Sequence, residues 1–255
     1  LHIEAHSFPT RRSSDLVDVE LKETNIIQER DEIISFISEA CGINDRTEIN
    51  INSTIPVGRG LGSSAALSIA IARAKKLTNI REIANKCEKF IHGNPSGIDV
   101  NQVLSDTPLL FSKKDGAIPL DFNLDSYLLI IDTGVIGITK ETLKHIKQNF
   151  EYYKSYIDEL GEITEKVIEP LKKKAIEIVG AYMYKAHDLL QKLGVSHESN
   201  DDVVNICKNN GALGAKLTGG GAGGCCIALS KTKENAEKIQ NELAKKGYKS
   251  WIVTV

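Results

Sequence analysis

The hydrophobic pattern is most informative between residues 47 and 74. From Thr47 to Ile55, isoleucines alternate with polar residues, which is the period of a half-buried strand. From Ala65 to Ala74 the chain is rich in helix formers and contains no glycine or proline, so we predict a helix. Between them lies Pro56-Val-Gly-Arg-Gly-Leu-Gly-Ser-Ser-Ala-Ala66. The pattern therefore predicts a strand, a glycine-rich turn and the start of a helix.

The same periodicities predict the remaining elements. Helices are predicted at 25–43, from a cap at Thr78-Asn79 to Ile91, from a cap at Ser96 to Leu104, from Thr139 to Ile168, at 175–193, from a cap at Ser199 or Asn200 to Asn209, and at 232–246. Strands are predicted at 108–111, 118–120, 127–131, 225–229 and 250–255. Strands interleaved with helices indicate an α+β fold, with a domain boundary between Ser105 and Thr139.

Composition narrows the class of protein. The 255 residues suffice for one large domain or two ordinary ones, and 41% hydrophobic residues support a core. A net charge of −2 gives no electrostatic footprint for nucleic acid, and no apolar run approaches the ~20 residues of a membrane span. The cysteines are odd in number and form no C-x-x-C pair. We therefore expect buried, reduced thiols in a cytoplasmic protein.

The glycine-rich turn has the chemistry of a phosphate cradle. Gly58, Gly60 and Gly62 allow backbone N–H groups to crowd around a bound group, because no Cβ intervenes. Ser63 and Ser64 add hydroxyls where the helix presents unsatisfied N–H groups and its positive dipole end. The stretch is neither a Walker A loop nor a dinucleotide fingerprint. The alternative is a tight turn in which the glycines serve geometry alone.

A second stretch, Glu88-Lys-Phe-Ile-His-Gly-Asn-Pro-Ser-Gly-Ile-Asp99, carries further candidates. Glu88 borders the apolar face of its helix, so its carboxylate is either a solvated edge residue or a functional ligand. Asp99 falls in the first turn of the short helix, where the dipole favours its ionised form and suits it to act as a base or an electrostatic anchor. The alternative is an ordinary helix-start aspartate. His92 is assigned no catalytic role, because histidine at such a position is more often a structural hydrogen bonder.

Two later segments are also distinctive. Asp132-Thr-Gly ends the third predicted strand and raises the hypothesis of an aspartic protease, but one copy in a chain of this length is a weak match. Lys216-Leu-Thr-Gly-Gly-Gly-Ala-Gly-Gly224 is a second glycine loop, which could close a site or act as a packing hinge.

Taken together, the motifs closely resemble the mevalonate kinases of the GHMP small-molecule kinase superfamily. The G-L-G-S-S-A of 60–65 and the late glycine loop are shared across that superfamily, whereas His92-Gly-Asn-Pro-Ser-Gly-Ile-Asp99 is particular to mevalonate kinases. The resemblance covers roughly residues 47–255. It implies a two-domain α+β fold: a ribosomal-protein-S5-like α/β domain at 17–125, incomplete here, and a ferredoxin-like α+β domain at 126–255.

The first residues depart from the family pattern. His6 to Leu16 resembles the translation of a sequencing-library adapter, so residues 1–16 are interpreted as a non-native or disordered leader. Nothing before Thr47 matches the lysine-containing N-terminal segment of mevalonate kinases. On this interpretation the chain is N-terminally truncated, and we expect greatly reduced or no turnover from it.

The resemblance also assigns roles to residues. It implies ATP- and Mg²⁺-dependent phosphorylation of the primary hydroxyl of mevalonate to 5-phosphomevalonate, in isoprenoid synthesis. The alternatives are a phosphomevalonate or homoserine kinase, or an impaired nucleotide-binding fragment. We expect a cytoplasmic protein with no nucleic-acid or membrane partner; a homodimer stays open. The implied site comprises the base Asp99; ATP contacts at Pro56, Gly58, Arg59, Gly60, Leu61, Gly62, Ser63 and Ser64; magnesium ligands Ser64 and Glu88; and substrate contacts at His92, Ser96, Thr139, Gly219 and Gly220.

Overall fold

The structure is a computed structural model that describes residues 16–137 and 139–255, except for the side chains of residues 139–143. The strands in this part of the chain are β1 Val17–Glu23, β2 Thr47–Ser53, β3 Leu109–Ser112, β4 Gly116–Pro119, β5 Tyr127–Asp132, β6 Gly214–Leu217, β7 Cys225–Ser230 and β8 Lys249–Thr254. The helices are α1 Glu32–Ala40, α2 Ser63–Ala74, α3 Ile80–His92, α4 Ile98–Val103, α5 Thr139–Gln148, α6 Phe150–Lys166, α7 Ile168–Lys172, α8 Ile176–Lys192, α9 Glu198–Asn209 and α10 Lys233–Lys245. The mixture confirms the predicted α+β class.

The described chain forms two compact units. The N-terminal unit comprises residues 16–57 and 62–119, and the C-terminal unit comprises residues 58–61 and 120–255. Gly58–Leu61 of the glycine-rich turn thus belong to the C-terminal unit, whereas Pro56, Val57 and the start of α2 belong to the N-terminal unit.

In the N-terminal unit, β1 and β2 form an antiparallel pair that runs from Val17 opposite Ser53 to Glu23 opposite Thr47. Helix α2 packs on β1 and α3, and α3 also packs on α1. Apolar residues at helical spacing on these three helices form one core, which includes Ile37, Ile71 and Cys87. This core fixes the two helices that carry the candidate site, α2 and α3.

In the C-terminal unit, an antiparallel sheet has the strand order β6-β7-β5-β8. Leu129 and Ile131 of the central strand β5 are fully buried against residues of α9 and α10 such as Val203 and Leu243. Helix α8 packs on β6. The sheet therefore holds the C-terminal end of β5 and the ends of β6 and β7, from which the loops of the next section emerge.

Most elements lie where the sequence predicts them, with several corrections. The helix predicted from Thr139 to Ile168 is divided into α5, α6 and the start of α7. The helix predicted at 25–43 begins only at Glu32, because the Asp31 side chain caps it by accepting a hydrogen bond from the Ile34 amide. Ile26 and Ile27 are 71% and 70% exposed, so their helical spacing was misleading. Strands β1 and β6 were not predicted. His197, rather than Ser199 or Asn200, is the N-cap of α9.

The thiols agree with the prediction. All five cysteines are free and buried. Burial raises the pKa of Cys41 to about 11 and the pKa of Cys226 to about 12, so both stay protonated at neutral pH. Within the described residues, no helix is both long enough and apolar enough to cross a membrane.

Candidate active site

The start of α2 is shaped by Gly62. This residue is the N-cap of the helix and adopts a left-handed conformation with φ of +64°. A Cβ built on Gly62 would lie 3.5 Å from Asp99 Oδ1, an ordinary van der Waals distance, so the carboxylate lies close to the turn. No side chain caps the helix at this position. The first amides of a helix have no partner within the helix and lie at the positive end of its dipole, an arrangement that favours an anion.

Four predicted site residues lie together in the N-terminal unit. Helix α3 carries Glu88 and His92 one turn apart, with His92 Nε2 3.6 Å from Glu88 Oε2. The same ring nitrogen lies 3.3 Å from Ser64 Oγ on α2. Asp99 in the first turn of α4 is close enough to raise the pKa of the Glu88 carboxyl. Two helices and the short α4 thus gather a hydroxyl, an imidazole and two carboxyls.

Glu88 is the buried member of this cluster. It is only 2% exposed, which excludes the solvated-edge interpretation of the sequence. Burial raises the pKa of Glu88 above the ordinary value, because a buried site disfavours the charged form. A hydrogen bond from Ser64 and the charge of His92 lower this pKa, whereas the charge of Asp99 raises it further. Glu88 Oε1 is buried and has no hydrogen-bond partner among the described residues.

The donors in this cluster fit a magnesium ion. Within the described chain, no group of three or more His, Cys, Asp or Glu side chains could hold a metal ion. Mg²⁺ does not require such a cage, because it prefers hard oxygens and is usually bound by one or two carboxylates together with water and phosphate. Glu88 offers an unpartnered carboxylate oxygen and Ser64 a hydroxyl. The chemistry of these two donors agrees with the predicted ligand pair.

In the C-terminal unit, the first glycines of the turn pack against the late glycine loop, backbone to backbone. A Cβ on Gly219 would lie 2.9 Å from both Cα and the carbonyl oxygen of Gly60. A Cβ on Gly224 would lie 2.8 Å from the carbonyl oxygen of Arg59. Such distances essentially never occur for a real Cβ, so glycine is required at both positions of the late loop.

Side chains that the sequence analysis did not assign to the site fix the late loop. The amide of the fully buried Asn200 donates to the Gly223 carbonyl at 3.0 Å and accepts from the Gly223 N–H at 3.1 Å. The Thr133 hydroxyl donates to the Gly224 carbonyl at 2.6 Å. These residues lie 23 and 91 positions from their partners, so no local sequence pattern predicts either contact.

His187 anchors the strand that enters the late loop. It is buried, and its Nδ1 accepts a hydrogen bond from the Leu217 N–H at 3.4 Å, so the ring proton lies on Nε2. His187 Nε2 lies 3.2 Å from Asp201 Oδ1 but outside hydrogen-bonding geometry. Asp201 Oδ1 instead accepts a hydrogen bond from the Ser196 hydroxyl at 2.5 Å. Burial lowers the pKa of His187, and Asp201 opposes that shift.

The other predicted positions are dispersed. The Ser96 hydroxyl accepts from the Ile98 N–H at 3.3 Å and so helps to begin α4, although the N-cap position itself is Gly97. Gly220 is exposed, and Pro56 and Leu61 are half-buried. Thr139 begins α5, but its side chain lies outside the described part of the structure.

Comparisons with known proteins agree with these observations. The family model of the GHMP kinases N-terminal domain matches residues 25–105, and that of the GHMP kinases C-terminal domain matches residues 167–249. The chain is 32% identical over 228 residues to a mevalonate kinase of Thermococcus sibiricus, covering 80% of this chain and 68% of that protein. It is 31% identical over 264 residues to a mevalonate kinase of Pyrococcus furiosus, covering 92% and 77%.

A solved structure gives the same result at the level of the fold. The crystal structure of L. major mevalonate kinase in complex with R-mevalonate superimposes with a TM-score of 0.79 at 24% identity, covering 93% of this chain and 86% of that one. The predicted GHMP kinase fold is thereby confirmed, and the single D-T-G triplet belongs to a kinase and not to an aspartic protease. The chain belongs to the mevalonate kinase family of the GHMP kinases and is a phosphotransferase.

Proposed function

We propose that this protein transfers the γ-phosphoryl group of ATP to the primary hydroxyl of mevalonate, giving 5-phosphomevalonate. One observation carries the proposal: in a chain of the mevalonate kinase family, Glu88 is buried with an unpartnered carboxylate oxygen beside Ser64 and Asp99, at the start of α2. A buried, unpaired acceptor is costly to keep in a folded protein unless a ligand uses it.

In this proposal the glycine-rich turn binds the triphosphate. Phosphoryl transfer requires mainly that the phosphates be held, their charge offset and the acceptor placed in line. The amides at the start of α2, where Gly62 provides no side-chain cap, and the Ser63 and Ser64 hydroxyls suit phosphate oxygens. The remaining proposed contacts are the residues before them in the turn, Pro56, Gly58, Arg59, Gly60, Leu61 and Gly62.

Ser64 and Glu88 are the proposed ligands of a magnesium ion. When bound, Mg²⁺ would offset the negative charge of the phosphates. The protein's own contribution is to hold Glu88 in a buried position on α3. The surrounding packing keeps the Glu88 carboxylate oriented and excludes competing water. His92, next to the Glu88 carboxylate, helps to orient it.

Asp99 is the proposed base. Asp99 lies in the first turn of α4, and its Oδ1 is 3.5 Å from the position that a Cβ on Gly62 would take. In this role it accepts the proton of the mevalonate hydroxyl as that oxygen attacks the γ-phosphorus. A positioned general base contributes typically 10²–10⁴-fold to the rate. His92, Ser96, Thr139, Gly219 and Gly220 stay predictions as substrate contacts, as do a place in isoprenoid synthesis and a cytoplasmic location.

A substrate comparison tests the proposal. ADP release is measured with mevalonate, phosphomevalonate and homoserine offered separately, and the phosphorylated product is identified by ³¹P NMR. We expect mevalonate to be the acceptor of the three that supports whatever ADP release the chain gives, with a new phosphomonoester signal. Turnover with either other acceptor instead would contradict the substrate assignment. ATP binding without turnover of any acceptor would favour the alternative of a nucleotide-binding protein that is not an active kinase.

A further inference from the structure

A buried ion pair links the glycine-rich turn to the end of β5. Arg59 Nε lies 3.1 Å from Asp132 Oδ1, and the two side chains are only 17% and 13% exposed. The same carboxylate oxygen accepts a hydrogen bond from the Gly134 N–H at 2.8 Å. Asp132 is therefore held by the turn that follows its own strand, and it presents a fixed carboxylate to the arginine.

The backbone of Arg59 is fixed as well. Its carbonyl oxygen accepts from the Cys225 N–H at 3.1 Å, and the Gly58 carbonyl accepts from the Gly137 N–H at 3.3 Å. Gly224 packs against the same Arg59 carbonyl, where no Cβ could fit. Because both the backbone and Nε are held, the direction of the guanidinium group is set by the fold of the C-terminal unit.

One nitrogen of this guanidinium group lacks a hydrogen-bond partner in the described part of the chain. Arg59 Nη1 is buried and has no hydrogen-bond partner among the described residues. An unpartnered buried donor is unfavourable, and more so on a charged group. The planar guanidinium fork matches the oxygens of carboxylates and phosphates, and Asp132 engages it through Nε. The chemistry that would complete it is a second anionic oxygen.

We propose that Arg59 binds a phosphate oxygen of the nucleotide through Nη1, and that Asp132 is the positioning residue that orients it. The inference rests on the proposed function, in which the glycine-rich turn binds ATP. It adds a specific donor to that turn, and it gives the first residue of the D-T-G segment a role that the sequence analysis did not predict. A purely structural ion pair is the competing explanation.

The experiment compares Arg59→Met, Arg59→Lys, Asp132→Asn and the double variant with the unmodified protein. Dissociation constants for ADP and ATP are measured by calorimetry, and melting temperatures are measured alongside. We expect Arg59→Met to weaken nucleotide binding about 10- to 100-fold, the range for a hydrogen bond between charged groups. Arg59→Lys loses less, because it keeps the charge without the fork. Asp132→Asn weakens binding in the unmodified background but not in the Arg59→Met background.

Arg30→Met serves as the matched control. Arg30 is an equally enclosed arginine, 7% exposed, whose Nη2 donates to the Thr47 carbonyl at 2.6 Å and whose Nη1 lies 3.8 Å from Asp45. Its loss lowers the melting temperature and leaves nucleotide affinity unchanged. Where kinetics can be followed, Arg59→Met raises the KM for ATP and leaves the KM for mevalonate unchanged.

Two results would overturn the proposal. If Arg59→Met and Arg59→Lys fold and bind ADP and ATP as tightly as the unmodified protein, the ion pair is structural. If Asp132→Asn weakens binding equally in both backgrounds, Asp132 does not act through Arg59. The nucleotide measurements need no acceptor. An unmodified protein that binds ADP but does not phosphorylate mevalonate would refute the proposed substrate, and the dissociation constants of its variants would still test the role of Arg59.

Discussion

Replacing Gly219 by alanine tests whether the close contact between the two glycine loops is required for phosphoryl transfer. The added Cβ would lie 2.9 Å from backbone atoms of Gly60, roughly half an ångström or more inside the optimal carbon separation of about 3.5–4.0 Å. Backbone cannot rotate away as a side chain can, so one of the loops must shift. Gly219 also has a φ of +71°, which costs an L-residue about 1–2 kcal/mol.

Gly247→Ala separates the strain of the backbone from the shift of the loop. Gly247 has a φ of +85°, and a Cβ there would meet nothing within 4 Å. Both variants should therefore lose about 1–2 kcal/mol of stability from the left-handed conformation. Only Gly219→Ala displaces the backbone of the proposed phosphate-binding turn. Since a misplacement of about 1 Å can cost 10²-fold, we expect kcat/KM to fall about 10- to 100-fold.

The assay is ADP release with mevalonate as the varied substrate, with ATP affinity and thermal melting measured on the same samples. Gly247→Ala should melt lower by about 2–8 °C and keep the unmodified kcat/KM and ATP affinity. Gly219→Ala should melt at least as low and lose activity or ATP affinity. If the two variants share both a lowered melting temperature and unmodified activity, the contact between Gly60 and Gly219 has no role in the reaction, and the reasoning is refuted.

Three further predictions concern single side chains. Asp99→Asn should lower kcat about 10²–10⁴-fold with little change in melting temperature, because the amide keeps the shape of the carboxyl but cannot accept the proton; an unchanged kcat would exclude Asp99 as the base. Glu88→Gln should raise or preserve the melting temperature at pH 7, because it removes a buried charge. It should also raise the Mg²⁺ concentration needed for turnover, and an unchanged Mg²⁺ requirement would argue against metal binding by Glu88. The pKa of His187 is lowered from its ordinary value of 6.5, so the unfolded chain takes up a proton more readily than the folded one. The free energy of unfolding should therefore fall as the pH drops below about 6.5 and level off below the lowered pKa. His187→Gln should flatten the dependence of melting temperature on pH across this range, and an equally steep curve would show that another group causes it.

The parts of the fold that the sequence predicted are those with a strong local period. The alternation of 47–55 and the helix formers of 65–74 became β2 and α2, because each pattern matches the repeat of its own element. The failure at Asn25–Ile43 arose where an apolar period continued past the Asp31 cap. Strand β1 does alternate, with Val17 and Val19 facing away from Asp18, and that signal was overlooked; β6 has four residues and carries too short a pattern.

The candidate site divides in the same way. The clustered site residues lie within 36 positions of one another in two recognisable motifs: Ser64, Glu88, His92 and Asp99. The sequence therefore predicted the cluster, but it did not predict that Glu88 would be buried. Asp132 lies 73 positions from Arg59, and its pairing depends on where β5 ends in the folded sheet. Such supports are set by tertiary packing, which a single sequence does not encode in any local period.

The two candidate ligand-binding charges share one physical property. Glu88 Oε1 is a buried acceptor on an acid and Arg59 Nη1 a buried donor on a base, each without a hydrogen-bond partner in the described part of its own unit. A cation would complete the first, and a phosphate oxygen would complete the second. A buried charge without a partner reduces the stability of the free protein, and a buried ion pair often adds little net stability, so a preserved or raised melting temperature fits either role. Weakened metal binding in Glu88→Gln, and weakened nucleotide binding in the Arg59→Met/Asp132→Asn double variant, are therefore the results that identify ligand-binding charges.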